Sequence, residues 1–316
     1  MQRFLLAVLS TSLCFLTSCA PKTSSLPPAP PASDFKTQIA FETQIEADGV
    51  VIVKFFDRRA KSVVVPAQID GRPVQTIGER AFAGCESLTS VAIPASVQII
   101  GEHAFDGCES LTSVAIPASV QTIGEHAFDD CESLTSLSVA PGNKRFKSVD
   151  GVLFTADGQT LIAFPAGKKA TEYQIPDGVK AFGGSAFWGC ESLTSLVIPY
   201  GVETLDEGMF IGCDSLTSVV IPESVQIIGD SAFWGCESLA WVAIPYGVET
   251  IGESAFECCQ SLTLVAIPAS VQKIGIDAFN SCSPDLSIYG TVGSVAEEYA
   301  AQNGLRFEAL EKLEAR

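Results

Sequence analysis

Three kinds of side chain in this sequence have the types and spacing to do chemistry: eleven cysteines, two histidines and a recurrent row of acids. Eight cysteines (Cys85, Cys108, Cys131, Cys190, Cys213, Cys236, Cys259 and Cys282) each stand three residues after a phenylalanine. Successive ones lie 23 residues apart, except for the 59 between Cys131 and Cys190. In an exported chain many cysteines ordinarily mean disulfides. One cysteine per equivalent position predicts instead a single buried column of parallel thiols, with cysteine as a small apolar filler. Metal clusters need pairs of ligands from different directions, and CxxC is absent. Cys258 stands where most copies carry glycine, which predicts a more exposed thiol.

His103 and His126 occupy the same place in successive copies, beside Glu102 and Glu125, so their rings are expected to stack. One histidine per coil is a thin basis for a metal, and none is assigned. The residue after each cysteine runs Glu86, Glu109, Glu132, Glu191, Asp214, Glu237 and Gln260. Stacked like charges repel, weakened by solvent and salt, so this reads as a solvated stripe. The chain has no Gly-x-Ser-x-Gly, phosphate loop or dinucleotide fingerprint. The reading is therefore a non-enzymatic protein without a cofactor.

The elements that hold these columns follow from the period. Ile93 to Ala115, IPASVQIIGEHAFDGCESLTSVA, returns almost unchanged from Ile116 to Ser138, and a fixed period of this size signals a solenoid. Within a unit, Leu88, Val91 and Ile93 follow the Leu-x-x-Leu-x-Leu spacing of a leucine-rich repeat, and Val91/Ile93 alternate as in a half-buried strand. Pro94, without an N–H, ends the strand. Val97, Ile100, Gly101, Ala104 and Phe105 predict a return limb of short helix or 3₁₀ turn, not a second strand, with Gly101 allowing tight packing. A coil cannot bury its apolar face alone, whereas stacked coils share one core. About ten coils with a single continuous core are expected.

The pattern IPxSVxxIGxxAFxxCxSLTSV resembles the 23-residue bacterial leucine-rich repeats of the BspA-like surface proteins, across roughly residues 40 to 310. The resemblance implies an α/β fold, a right-handed parallel solenoid, and a role in adhesion to host matrix proteins or other bacteria. One copy departs from the pattern: Asp206 replaces the glycine and Met209 the alanine, which predicts local distortion.

The chain ends are read separately. Arg3, the apolar run FLLAVLSTSLCFL and Leu16-Thr17-Ser18-Cys19 read as an export signal over residues 1–18, too short for a spanning helix. The LTSC run resembles a bacterial lipobox, which implies lipidation of Cys19. Residues 19–34 carry five prolines and form an extended tether. Residues 35–74 are expected to cap the stack with β strands, residues 75–285 to form the solenoid, and residues 286–316 to close it. In that last segment Ser294-Val-Ala-Glu297 reads as a capping box and Gly304 as a helix stop.

Two surfaces are candidates for a partner. The break after Cys131 holds an insert, about residues 139–175, in which Asp157-Gly158 predicts a β-hairpin and Lys144, Arg145, Lys147, Lys168 and Lys169 form a basic platform. On the strands, one outward column runs Ser90, Ser113, Ser136, Ser195 and Ser218, then Trp241 and Leu264. With Val197, Tyr200, Val220 and Tyr246 these late residues predict an exposed apolar patch that binds a protein. The net charge of −18 excludes nucleic acid, which needs a basic footprint. The expected whole is a lipid-anchored protein of the bacterial envelope, attached to the outer membrane and displayed on the surface, which touches membrane through its lipid alone. The alternative is a periplasm-facing scaffold that binds the cell's own proteins.

Overall fold

The computed structural model describes residues 5–6, 40–47 and 49–311. Apart from a two-residue strand at Leu5–Leu6, the export signal, Cys19 and the tether lie outside the described residues. The described chain winds into a parallel β-solenoid of about eleven turns. Its one helix among the described residues is Val295–Gln302, and none is long and apolar enough to cross a membrane.

Each coil places two strands, and so the solenoid carries two ladders. The front ladder holds Ser62–Val64, Ser90–Ala92, Ser113–Ile116 and Ser136–Val139, parallel and in register. After the insert it resumes with Glu172–Gln174, Ser195–Val197 and Ser218–Val220, then with Trp241–Ala243, Leu264–Ile267, Ser287–Gly290 and Arg306–Ala309. Ser62–Val64, within the cap expected over residues 35–74, pairs in parallel with Ser90–Ala92 of the following coil. Ala40–Ile45 pairs antiparallel with Val50–Phe55 at that end.

The back ladder corrects the expectation for the return limb. Ile99–Ile100 and its equivalents form two-residue parallel strands, and the residues that follow make turns, not a helix. The reason is backbone handedness. His103 (φ 51°) and Gly107 (φ 67°) both sit in the left-handed region, as do their equivalents in the other coils, so no right-handed helix can run through them. The fold is thus nearly all β, and the α/β assignment gives way.

Gly101 allows the close approach expected of it: a Cβ there would lie 2.7 Å from the backbone nitrogen of Glu79. Where Asp206 takes the equivalent place, the back ladder is interrupted between Ala181–Phe182 and Thr204–Leu205.

The core is a stack of rings. Phe82, Phe105 and Phe128 follow one another at 5.2 and 5.8 Å between centroids. Phe164, Phe187, Phe210, Phe233, Phe256 and Phe279 follow at 4.9–5.4 Å. The two runs do not meet, and the buried residues form two clusters in place of the single core expected. The insert causes the break. Phe164 enters the phenylalanine register 23 residues before Phe187, but Gly167 takes the cysteine place and its N–H bonds to Leu134 O at 2.9 Å.

The cysteine column runs alongside. Each thiol from Cys108 onward donates to the carbonyl oxygen of the phenylalanine 26 residues earlier, as Cys236 does to Phe210 O at 3.3 Å. Cysteine is therefore more than filler, because its weak donor adds a coil-to-coil hydrogen bond to a buried carbonyl that in most coils already accepts the N–H three residues on, as Phe210 O does from Cys213. Burial pushes the Cys85 thiol up to about 11 and that of Cys236 well above its ordinary value. Cys258 has the left-handed φ of 61° of the glycines it replaces and is partly exposed.

At the C terminus, Tyr299 of the helix packs edge-on against Phe279. The expected capping box is replaced: Ser294 makes no side-chain cap, and the Glu297 carboxylate accepts from the N–H of Gly293 at 2.6 Å. Gly304 has φ 67°, and Leu305 N–H returns to Ala300 O at 2.9 Å, which closes the helix.

Candidate binding surfaces

The front ladder turns alternate residues outward, so its register decides which side chains share a face. Ser195 pairs with Ser218, Val197 with Val220, and Trp241 with Leu264. Val197 (59% exposed), Val220 (54%), Trp241 (48%), Tyr200 (79%) and Tyr246 (71%) all present apolar surface to solvent. Leu264 departs from the expectation of exposure and is half-buried. In the coils before the insert the same outward positions carry Ser90, Ala92, Ser113 and Ala115.

Threonines edge this ladder and bind coil to coil. Thr112, Thr135, Thr217 and Thr263 each send a hydroxyl to the backbone carbonyl one coil back. Ala240 interrupts that row beside Trp241, and the ladder is broken between Ser218–Val220 and Trp241–Ala243. The bulkiest outward residue thus sits where a hydroxyl tie is absent.

The basic residues fall on an insert of three strands. Phe146–Val149, Val152–Thr155 and Thr160–Ala163 are antiparallel, with Asp157 and Gly158 in the second turn, and the third strand joins Ala181–Phe182 in parallel. Val152, Leu153, Phe154 and Leu161 are buried, which ties the insert into the stack. Lys144, Arg145 and Lys169 are exposed, while Lys147 and Lys168 are half-buried. Lys168 is held by Asp150 O at 2.7 Å. Hydrogen bonds from Thr155 and the Gln159 N–H, with Lys147 nearby, hold the Asp157 carboxyl below its ordinary value.

The seam between the two core clusters holds a site that the sequence reading did not assemble. The stacked rings of His103 and His126 lie 4.8 Å apart. His126 Nδ1 is 2.8 Å from Asp129 Oδ2 and 2.9 Å from Ser185 Oγ. Trp188 Nε1 donates to Asp130 at 2.6 Å, a second tie across the seam. His126, Asp129, Ser185 and Trp188, with Phe128 and Phe164, border a cavity of about 130 Å³. Burial pushes the Asp129 carboxyl up to about 6, against the opposing hydrogen bond from His126. The trio is not a catalytic relay, since serine and aspartate crowd the same ring nitrogen and a relay needs one on each. The available signal was Asp130, which breaks the glycine column in a copy that otherwise follows it.

The acid stripe is assembled as columns predict. Burial raises the Asp214 carboxyl, and Glu237 and Glu191 in the adjoining coils add to it.

No curated protein matches the chain. Among solved structures it is similar to a leucine-rich cell surface protein from Faecalibacterium prausnitzii A2-165, at 24% identity and TM-score 0.61, covering 82% of this chain and 95% of that one. It is also similar to the pneumococcal vaccine antigen PcpA, at 17% identity and TM-score 0.58, covering 86% and 95%. Both likenesses are of fold. The family model for the BspA type leucine-rich repeat region matches residues 55–155 and 162–284, which takes in both stacks and most of the insert. The chain belongs to the BspA-type leucine-rich repeat family.

Proposed function

We propose that this protein is a lipid-anchored, surface-displayed binding protein that holds a protein ligand on the late front face. One observation carries the reading: outward columns that are serine and alanine before the insert become Val197, Val220 and Trp241 after it, with Tyr200 and Tyr246 beside them. Aromatic side chains at this exposure are the residues that dominate interface energetics. Family membership supports a protein-binding role, and the names of the two structural relatives, a cell surface protein and a vaccine antigen, fit display outside the cell. The lipobox resemblance at Cys19 supplies the anchor, and host matrix or another bacterium's surface supplies the ligand.

The test has two parts. Protease shaving of intact cells should remove the solenoid; protection inside the cell would mean a periplasm-facing scaffold instead. A ligand captured by residues 40–311 of the wild type should then bind Trp241→Ala more weakly by about 2 kcal/mol, roughly thirtyfold. Undiminished capture by Trp241→Ala would remove the front face from the mechanism.

A further inference from the structure

The column just after each strand proline alternates in a way that neither the core nor the strands require. From coil to coil it reads Asp177, Tyr200, Glu223, Tyr246, and all four residues are exposed. Contacts place Glu223 between the two tyrosines. Gly201 N–H donates to Ser224 Oγ at 3.0 Å on one side, and a Cβ on Gly247 would collide with Glu223 O on the other. Glu203 and Glu249 follow each tyrosine by three residues, and Asp177 borders a cavity of about 300 Å³ shared with Glu172 and Val197. Among the described residues, none partners the Asp177, Glu203, Glu223 or Glu249 carboxylate in a hydrogen bond or ion pair. The side chain of Lys180 passes Gly201, where a Cβ would lie 3.9 Å from its Cγ.

Coils stack at about 4.8 Å, so the two tyrosines stand about 9.6 Å apart. A cation over Glu223 would lie about 4.8 Å from each ring, inside the roughly 6 Å reach of a cation–π contact. Asp177 and Glu223 are likewise two coils apart. A polyproline-type segment advances about 9.3 Å in three residues and returns to the same face. A β-strand turns its third residue to the opposite face, and a helix meets the spacing less closely, at about 10.5 Å over seven residues.

We infer that Tyr200, Glu223 and Tyr246 form a clamp for an arginine or lysine of the partner, and that the partner is an extended, polyproline-like basic segment with a cation at every third residue. Its second cation meets Asp177 and Glu172. The net charge of −18 complements such a segment. This inference rests on the reading that the late front face binds protein, and names the chemistry of what it binds.

The probe is a labelled peptide of four Arg-Pro-Pro units, compared at 150 mM salt by fluorescence anisotropy with an isomer whose four arginines are adjacent. The regularly spaced peptide should bind about tenfold more tightly, and the double variant Tyr200→Ala/Tyr246→Ala should lose about tenfold with no change in net charge. Tyr200→Phe/Tyr246→Phe should bind as the wild type does, and Glu223→Gln should weaken binding severalfold. These tyrosines lie outside the core, and an unchanged thermal transition confirms folding. Equal binding of the two peptides, or indifference to the double variant, overturns the clamp and leaves only general charge attraction. A protein ligand that is lost with Trp241→Ala but unaffected at Tyr200, Glu223 and Tyr246 also overturns it, while the face survives as a binding site. Capture unaffected by Trp241→Ala as well marks failure of the face itself.

Discussion

The stack before the insert and the stack after it share most inward columns and differ over part of the outward face. Phe105 and Phe233, Cys108 and Cys236, Leu111 and Leu239 are all fully buried in equivalent places. Ser113 and Trp241 also occupy equivalent places, and there the likeness ends. Inward positions must fill a fixed volume between coils, so their size is constrained. Outward positions meet solvent and can change without cost to the stack. The surface that diverged is therefore the one free to acquire a partner.

The largest expected effect probes what the two stacks share. Phe105→Ala and Phe233→Ala each remove a ring packed between two others, and each should cost about 3–5 kcal/mol in denaturant unfolding. Phe128→Ala, beside the seam cavity, should fall at the low end of that range. A cost below about 1 kcal/mol at Phe105 would place it outside the core.

The joint between the stacks gives the next effect. The Asp129 carboxyl is pushed up to about 6, above its ordinary value of 3.8, so the folded chain holds that proton more firmly than the unfolded chain. Its contribution to stability is greatest below pH 3.8 and is lost as pH rises toward 6, on the order of 3 kcal/mol. Asp129→Asn should flatten the wild-type slope over that window. Parallel pH profiles for the two proteins would show that Asp129 is not desolvated.

The outward difference itself is tested by matched substitutions. Trp241→Ala should weaken ligand binding by about 2 kcal/mol, whereas Ser113→Ala should change it by less than about 0.5 kcal/mol. Equal effects would erase the distinction between the faces. A smaller effect than that of Trp241→Ala is expected from Lys144→Gln/Arg145→Gln/Lys147→Gln, which should alter association rate and salt sensitivity by under about 1 kcal/mol. If that triple change abolished binding while Trp241→Ala did not, the insert would be the platform.

Legibility in the sequence followed the same division. The inward columns repeat every 23 residues, so the stack of rings and the thiol column could be read from Phe-x-x-Cys alone. The second ladder could not. Its strands are two residues long, and the left-handed positions that exclude a helix carry His103, Ser231 or Asp277 as readily as glycine. Trp241 and the two tyrosines stood out because they break a column. Leu264 breaks the same column yet is half-buried, since exposure depends on the neighbouring strand and not on residue type. His126 and Ser185 are 59 residues apart and meet only because the insert folds between them, which no local spacing reveals.

The seam also has a mechanical meaning. Within each stack, ring contacts and thiol–carbonyl bonds tie neighbouring coils along with backbone ladders, which in the later stack are broken once at the front and once at the back. Across the seam the ring stack is interrupted, and the ties include His126 with Ser185, Trp188 with Asp130, Gly167 with Leu134 and Leu137 with Gly151. A chain held at one end and pulled at the other should part there first, with two spring-like halves each still wound. A solenoid built this way yields at a chosen joint while the face after the insert keeps its shape under tension.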